Sequence, residues 1–400
     1  MPRKTLLITE VFPPRNGGSG RWLWEIYRRL PGAQVVVAAG EDPRQGNFDK
    51  THSLNLVRMP LSFSTWGVGS VRGLWEYGQA LWRLRRLVKE EGVQAIHCGK
   101  CLPEGLLALF LRRWYRLLYV CYVHGEELNL AGLSRELGWL TREVLHGARF
   151  VIANSRNTER ILRQDWDLPL QRIRLLHPGA DTEFFVPAAR DERERARLGW
   201  DARPVILTVG RLQKRKGHDQ MIRAVDQIRK KIPNVLYAIL GDGEERLFLE
   251  DMVARAGLDG HVQFLGELTD ERLLSCYQQC DLFVLPNRQV GQDIEGFGMV
   301  LVEAQACGKP VIAGASGGTA ETMRIPETGL VVPCDGPDEL ADSVVDLLHD
   351  HERRVRMGRS ARAWAAENFD WAALSRQAAR LFQESRAKPR RRKEAARRTT

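Results

Sequence analysis

Residues 281–314 read DLFVLPNRQVGQDIEGFGMVLVEAQACGKPVIAG, and the fold class can be read from their pattern. The apolar run DLFVLP (281–286) has strand length and stops at a proline. A polar, glycine-containing loop follows, then an alanine-rich helical segment opening at about Gly298, then a second apolar run, PVIAG (310–314). Strand, loop, helix and strand in so short a span make the repeating unit of a parallel α/β sheet.

The alternation continues outward. Strands are expected at PVILTVG (204–210), LYAILG (236–241), VQFLG (262–266) and GLVVP (329–333), with helices over His218–Ile232, Glu245–Ala256 and Asp338–His349. The N-terminal half repeats the pattern with TLLITE (5–10), QVVVAAG (34–40), QAIHCG (94–99), YVCYVHG (119–125), FVIANS (150–155) and IRLLHPG (173–179). Its helices are expected at Arg21–Leu30, Val71–Glu90 and Leu137–His146. Between the halves, PAARDERERARLGWDARP (187–204) is charged and bounded by prolines, and reads as a linker opening a second domain. The chain's 400 residues suit two doubly wound domains. The boundaries expected are 1–188, 189–365, a C-terminal helix over 366–385 that crosses back to the first domain, and a tail over 386–400. An amphipathic period runs from Ser360 to Ser385. Ligands of such sheets gather at the carboxyl ends of the strands, so two facing domains imply a central cleft.

The charged fraction of 28 % and apolar fraction of 44 % are those of a folded soluble protein. Residues 1–190 carry 27 basic and 18 acidic side chains, whereas 191–386 carry 26 and 31. The tail AKPRRRKEAARRTT has the composition of a disordered segment and would suit an anionic surface as well as solvent. Seven scattered cysteines imply reduced thiols and a cytoplasmic setting. Cys98 and Cys101 have CxxC spacing but no second ligand pair; Cys276 and Cys280 sit one helical turn apart and read as core. The N-terminal run breaks at Thr9 and Glu10, too early for a signal peptide. The apolar stretch from Leu106 to Val123 is split by Arg112, Arg113 and Arg116, so no membrane span is expected.

PVILTVG runs into RLQKRKG and a helix near His218, a turn that aims backbone N–H groups and the helix dipole at an anion. Arg211, Lys214, Arg215 and Lys216 add mobile cations, a set matched to a diphosphate. Gly241 and Gly243 make a second tight turn where backbone can approach a ligand. In EGFGMVLVE, Glu295 precedes the helix and can share one ligand with the amides of Gly296, Phe297 and Gly298. Glu303 lies inside an otherwise apolar helix and needs a polar partner. Carboxylates accept bonds from vicinal hydroxyls, so a hexose and a ribose fit.

GRLQKRKG, GDGEE and EGFGMVLVEA together resemble the retaining family 4 glycosyltransferases of GT-B fold. VFPPRNGGSG (11–20), VHGEE (123–127) and NSRNTERIL (154–162) extend the likeness over nearly the whole chain, and Arg-x4-Lys with Glu-x7-Glu is its specific core. LPEGLLA, GRLQKRKGHD and GQDIEGFGMVLVEAQA look closest to the phosphatidylinositol mannosyltransferase group. The resemblance implies an α/β GT-B fold of two Rossmann-like domains, the first for the acceptor and the second for a nucleotide-diphosphate sugar. It implies that Arg211 and Lys216 hold the diphosphate, Glu303 the ribose, and Glu295 with Gly296, Phe297 and Gly298 the sugar. Gly17 and Gly18 would approach the diphosphate from the other domain, and His124 would touch the donor sugar. Retention implies same-face attack with no carboxylate nucleophile, cofactor or metal. Asp165 and Asp167 have DxD spacing but trail a helix and read as its solvated end. The subgroup implies GDP-mannose as donor, a lipid or glycan as acceptor, and a peripheral place at the inner membrane face.

A non-catalytic sugar-nucleotide binder would lack Arg211, Lys216 or Glu295, and this chain has all three. A nucleic-acid binder, prompted by the sequence pI of about 9.4, would need aromatic platforms on the basic face. WEYGQALWRLRRLV (75–88) places Trp75 and Trp82 among arginines but reads first as core plus solvated face. A membrane-surface role for the same stretch is the alternative, since Trp and Arg suit the headgroup layer.

Overall fold

The computed structural model describes residues 4–15, 17–30 and 34–386. The basic tail lies outside these residues except for Arg386. Among the described residues, thirteen strands form two parallel sheets. The first contains β1 (Lys4–Thr9), β2 (Val35–Gly40), β3 (Asn55–Met59), β4 (Val93–Cys98), β5 (Leu118–Val123), β6 (Val151–Ala153) and β7 (Ile173–Leu175), in the order β3-β2-β1-β4-β5-β6-β7. The second contains β8 (Val205–Val209), β9 (Leu236–Leu240), β10 (Val262–Gly266), β11 (Leu282–Leu285), β12 (Val311–Gly314) and β13 (Gly329–Val332), in the order β10-β9-β8-β11-β12-β13. Leu7 of β1 pairs in parallel register with Val37 of β2 and His97 of β4. β3 is a strand the sequence pattern does not mark, because only Met59 in NLVRM is fully buried and the apolar run is too short to stand out.

The chain packs as two compact units. One comprises Met1–Tyr122, Glu143–Val151 and Ser375–Thr400; the other comprises Val123–Arg142 and Ile152–Leu374. In the second unit the two-residue period of the strands sorts side chains onto opposite faces. Ile206, Tyr237, Ile239, Val284 and Ile312 face one core with Met221, Val225, Leu340 and Val344. Val205, Leu207, Ala238, Phe283 and Ala313 face the other with Leu301 and Val302. Each large aliphatic side chain so buried contributes about 1.5–3 kcal/mol. The helix Met299–Ala306 runs under this second face and buries nearly every side chain. That is the behaviour of a helix apolar all round.

Residues 187–204 are not a solvated linker. Asp191 caps a short helix, Glu192–Arg197, and Arg195 is wholly buried. Its guanidinium donates to the carbonyls of Asp201, Gln279 and Arg203, so backbone acceptors recover what burial of the charge costs. The amphipathic stretch 360–385 is likewise two helices, His351–Asn368 and Trp371–Arg386, because Asp370 accepts from the Ala372 amide (2.9 Å) and restarts the chain. From Ser375 onward it packs within the first unit, where Phe382 stacks on Tyr27 with ring centroids 5.6 Å apart. All seven cysteines are buried free thiols. Burial pushes Cys276 and Cys280 up to about 12, so neither is a nucleophile at neutral pH.

Candidate active site

Each sheet reverses its strand order once, between β1 and β4 and between β8 and β11. Loops leaving the carboxyl ends of such a pair diverge and leave room for a ligand. In the second unit these loops are GRLQKRKG after β8 and residues 286–298 after β11, the two segments the sequence singles out.

The first loop is a sorting device. Lys214–Lys216 form one 3-10 turn, and Gly217, at φ +74°, turns the chain into the helix His218–Lys231. A β-carbon at Gly217 would collide with the Pro286 carbonyl, so this turn requires glycine. The turn leaves Arg211 and Lys214 exposed and buries Arg215 and Lys216. The expectation of four mobile cations is therefore corrected: two are exposed and two are held inside. Lys216 Nζ and Arg215 Nη1 both lie 2.6 Å from Glu295 Oε2. Arg215 Nε lies 3.0 Å from Asp293 Oδ1, and Arg215 Nη2 lies 3.6 Å from Glu126 Oε2. Both cations thus use one oxygen of Glu295. Its Oε1 accepts no hydrogen bond among the described residues. Arg211 has no acidic partner among them.

Burial works against every charge in this cluster. Burial alone would raise Glu295, but Lys216 and Arg215 outweigh it and hold the carboxyl below its ordinary value. Burial lowers Lys216, Glu295 opposes the fall, and Arg215 and Arg211 add to it. Burial raises Asp293 against the pull of Arg215. Ionised groups gathered at such cost are a weak source of stability but a preorganised electrostatic site.

The second loop is buttressed from behind. Asn287, fully buried, accepts from the Gly314 amide (3.1 Å) and donates to the Ser316 carbonyl (3.0 Å). Gly318 N donates to Glu295 O at 3.0 Å. β-Carbons at Gly317 and Gly318 would collide with the carbonyls of Glu295 and Gly296. Arg288 grips Asp219 with two bonds (2.7 and 2.9 Å) and ties this loop to the helix after Gly217. Asn287, Gly317 and Gly318 escape sequence reading, as does the inward turn of Arg215; the one available signal for the glycines is the run GASGG.

Gly296 sits against His124, where a β-carbon would lie 2.6 Å from the His124 carbonyl oxygen and 2.9 Å from Asn154 Nδ2. Asn154 Nδ2 donates to that same carbonyl at 3.0 Å, and His124 N donates to Glu127 Oε1 at 2.8 Å. Phe297 is buried and stacks on His177 at 5.2 Å, which in turn lies 3.1 Å from Glu321. Gly298 takes φ +92° as it caps the helix Met299–Ala306. Glu303 is buried in that helix, and Tyr277 Oη donates to its Oε2 at 2.8 Å, the polar partner that burial demands.

Gly241 makes room for protein rather than open space. A β-carbon there would strike the Gly210 carbonyl, and one at Gly243 would lie 2.6 Å from the Leu212 carbonyl. The GDG turn therefore braces the GRLQKRKG loop. Gly17 and Gly18, in the first unit, cap and begin the helix Gly18–Tyr27. Beside β1 and β4 in that unit, Lys100 Nζ lies 2.6 Å from Glu10 Oε2, and Glu104 accepts the Glu10 amide at 2.8 Å. Asp165 ends the helix Arg156–Gln164, and Asp167 pairs with Arg142 at 2.9 Å. No three His, Cys, Asp or Glu side chains form a metal-ligand group among the described residues.

Comparison with known proteins gives this geometry its family. Residues 190–364 match the model "Glycosyl transferases group 1", and residues 16–184 match "Glycosyltransferase Family 4". The chain is 33 % identical over 383 residues to the GDP-mannose-dependent alpha-(1-6)-phosphatidylinositol monomannoside mannosyltransferase of Mycobacterium tuberculosis, covering 93 % of this chain and 96 % of the relative. The chain belongs to the family 4 glycosyltransferases. This glycosyltransferase is also 29 % identical to the alpha-D-kanosaminyltransferase of Streptomyces kanamyceticus, over 86 % of this chain and 92 % of that one. Among solved structures, sucrose-phosphate synthase from Thermosynechococcus elongatus superposes with a TM-score of 0.80 at 25 % identity, covering 96 % of this chain and 99 % of that one. Anabaena HepE in complex with UDP gives 0.80 at 22 %, covering 95 % and 100 %. The two parallel sheets are the Rossmann-like domains of the GT-B fold. No helix among the described residues is long and apolar enough to cross a membrane.

Proposed function

We propose that this glycosyltransferase moves mannose from GDP-mannose to a hydroxyl of a phosphatidylinositol-type lipid, with retention at the anomeric carbon and without a metal. The reading of donor and acceptor is supported by the 33 % identity to the mycobacterial mannosyltransferase. What carries the chemistry is the meeting of the two loops at Glu295, where two buried cations share one carboxylate oxygen and leave the other for a sugar hydroxyl.

Arg211 and Lys216 bind the donor diphosphate. Glu295 and the amides of Gly296, Phe297 and Gly298 fix the hexose, with His124 beside them, and Glu303 meets the ribose. The acceptor hydroxyl attacks C1 on the face from which the diphosphate leaves. The new O–C1 bond forms as the C1–O(phosphate) bond breaks, and the hydroxyl proton passes to the departing phosphate oxygen. Cations placed before the reaction stabilise that charge without reorganising. The lipid acceptor places the enzyme at a membrane surface.

The test is transfer of labelled mannose from GDP-mannose into phosphatidylinositol and its monomannoside, with the product's anomeric configuration read by NMR. An α-linked mannolipid is expected. A β-linked product would overturn retention, and transfer from UDP-glucose in preference to GDP-mannose would overturn the donor assignment.

A further inference from the structure

The helix Val71–Glu90 has two apolar faces, and only one is used. Gly73, Tyr77, Ala80, Leu84, Leu87 and Val88 are buried in the first unit. At about 100° per residue, the opposite side carries Val71, Trp75, Gly78 and Trp82. Trp75 is 62 % exposed and Trp82 67 % exposed, with Val71 and Leu74 exposed beside them. A solvated helix face normally carries charged residues, so two tryptophans seven residues apart on it need a partner outside the unit. Gly78, in mid-helix between them, costs about 1 kcal/mol relative to alanine. A β-carbon there would meet nothing within 4 Å, so packing does not require the glycine. Its effect is a groove of ≈ 390 Å³ lined by Trp75, Gly78, Gln79, Trp82 and Arg83.

The neighbouring helix Leu106–Tyr115 extends the surface. Its exposed Phe110 and Trp114 stack at 6.2 Å, and Arg85 lies over the Trp114 ring at 4.7 Å, joining the two helices. Around the aromatics stand exposed Arg83, Arg85, Arg86, Lys89, Arg112 and Arg113. Exposed indoles ringed by arginine match the chemistry of one layer, where acyl chains meet anionic headgroups.

We propose that this two-helix face docks on an anionic lipid bilayer, with Trp75 and Trp82 at headgroup depth and the groove at Gly78 open to lipid. The proposal rests on the lipid-acceptor reading and gives it a surface. It is tested by co-sedimentation of the full chain with vesicles of phosphatidylcholine alone or mixed equally with phosphatidylglycerol. The wild type is expected to bind the mixed vesicles and to lose binding in high salt. Trp75→Ser with Trp82→Ser is expected to weaken binding at least tenfold. Arg83→Gln, Arg85→Gln and Arg86→Gln together are expected to weaken it on the order of 100-fold, since each charge near such a surface contributes about a factor of five. Leu247→Ser with Phe248→Ser, on an exposed apolar pair of the second unit, is expected to leave binding unchanged. Because the substituted side chains are exposed, unfolding midpoints serve as the check on folding. Unaltered vesicle binding in the tryptophan variant overturns the proposal. Thermal stabilisation by GDP-mannose, read in the same variants, reports separately on the donor reading.

Discussion

Arg211 and Arg215 stand four residues apart in one loop, yet the fold gives them opposite assignments. Arg211 is exposed without an acidic partner among the described residues, while Arg215 is buried against Glu295 and Asp293. Arg211→Ala should therefore change stability by no more than about 0.5 kcal/mol and lower kcat/KM by about 100- to 1,000-fold. Arg215→Met leaves the buried Glu295 and the half-buried Asp293 short of a cation and should cost about 3–5 kcal/mol. Lys216→Ala should lose both turnover and some stability, but less stability than Arg215→Met, because Arg215 still neutralises Glu295. Urea unfolding and steady-state kinetics on the three variants check the ordering. The cations and both glutamates are legible in the sequence as charge density and spacing. Which cations point inward is not, because a single 3-10 turn sets it and leaves no period to read.

Glu104 offers a pH test at the same scale. Burial raises its carboxyl from 4.5 to about 7, and Lys100 only partly offsets this. Its folded value lies above its unfolded one, so the favourable contribution is complete below pH 4.5 and is lost as pH rises toward 7. Glu104→Gln keeps the oxygen that accepts the Glu10 amide and cannot ionise. It should be more stable than wild type at pH 8 by up to about 3 kcal/mol, and show no such gain at pH 4. Denaturant midpoints at the two pH values check this.

At the scale of elements, the site depends on turns that only glycine can make. Gly217→Ala introduces a β-carbon at φ +74° against the Pro286 carbonyl and should cost several kcal/mol, with loss of donor binding. Gly291 has a similar φ, +59°, but open surroundings, so Gly291→Ala should cost only about 1 kcal/mol. Thermal midpoints of the pair separate collision from backbone strain. Strands β8, β9, β11 and β12 are legible because they are buried on both faces and read as apolar runs. β3 is not, since most of it is only half-buried, and the helix in residues 187–204 hides behind its charges because Arg195 is buried against three backbone carbonyls, with Asp281 3.6 Å away.

At the scale of the molecule, the switch point of the second sheet brings the two loops together, since GRLQKRKG and EGFG leave the diverging strands β8 and β11. These two loops are proposed to bind a sugar nucleotide. The most direct test is the thermal midpoint of the wild type and of Glu295→Gln across a panel of GDP-mannose, UDP-glucose, GDP and mannose. GDP-mannose is expected to raise the wild-type midpoint most and GDP to raise it less, and Glu295→Gln is expected to lose the difference between them while keeping the GDP effect. A wild-type midpoint that no sugar nucleotide moves would contradict the proposed binding.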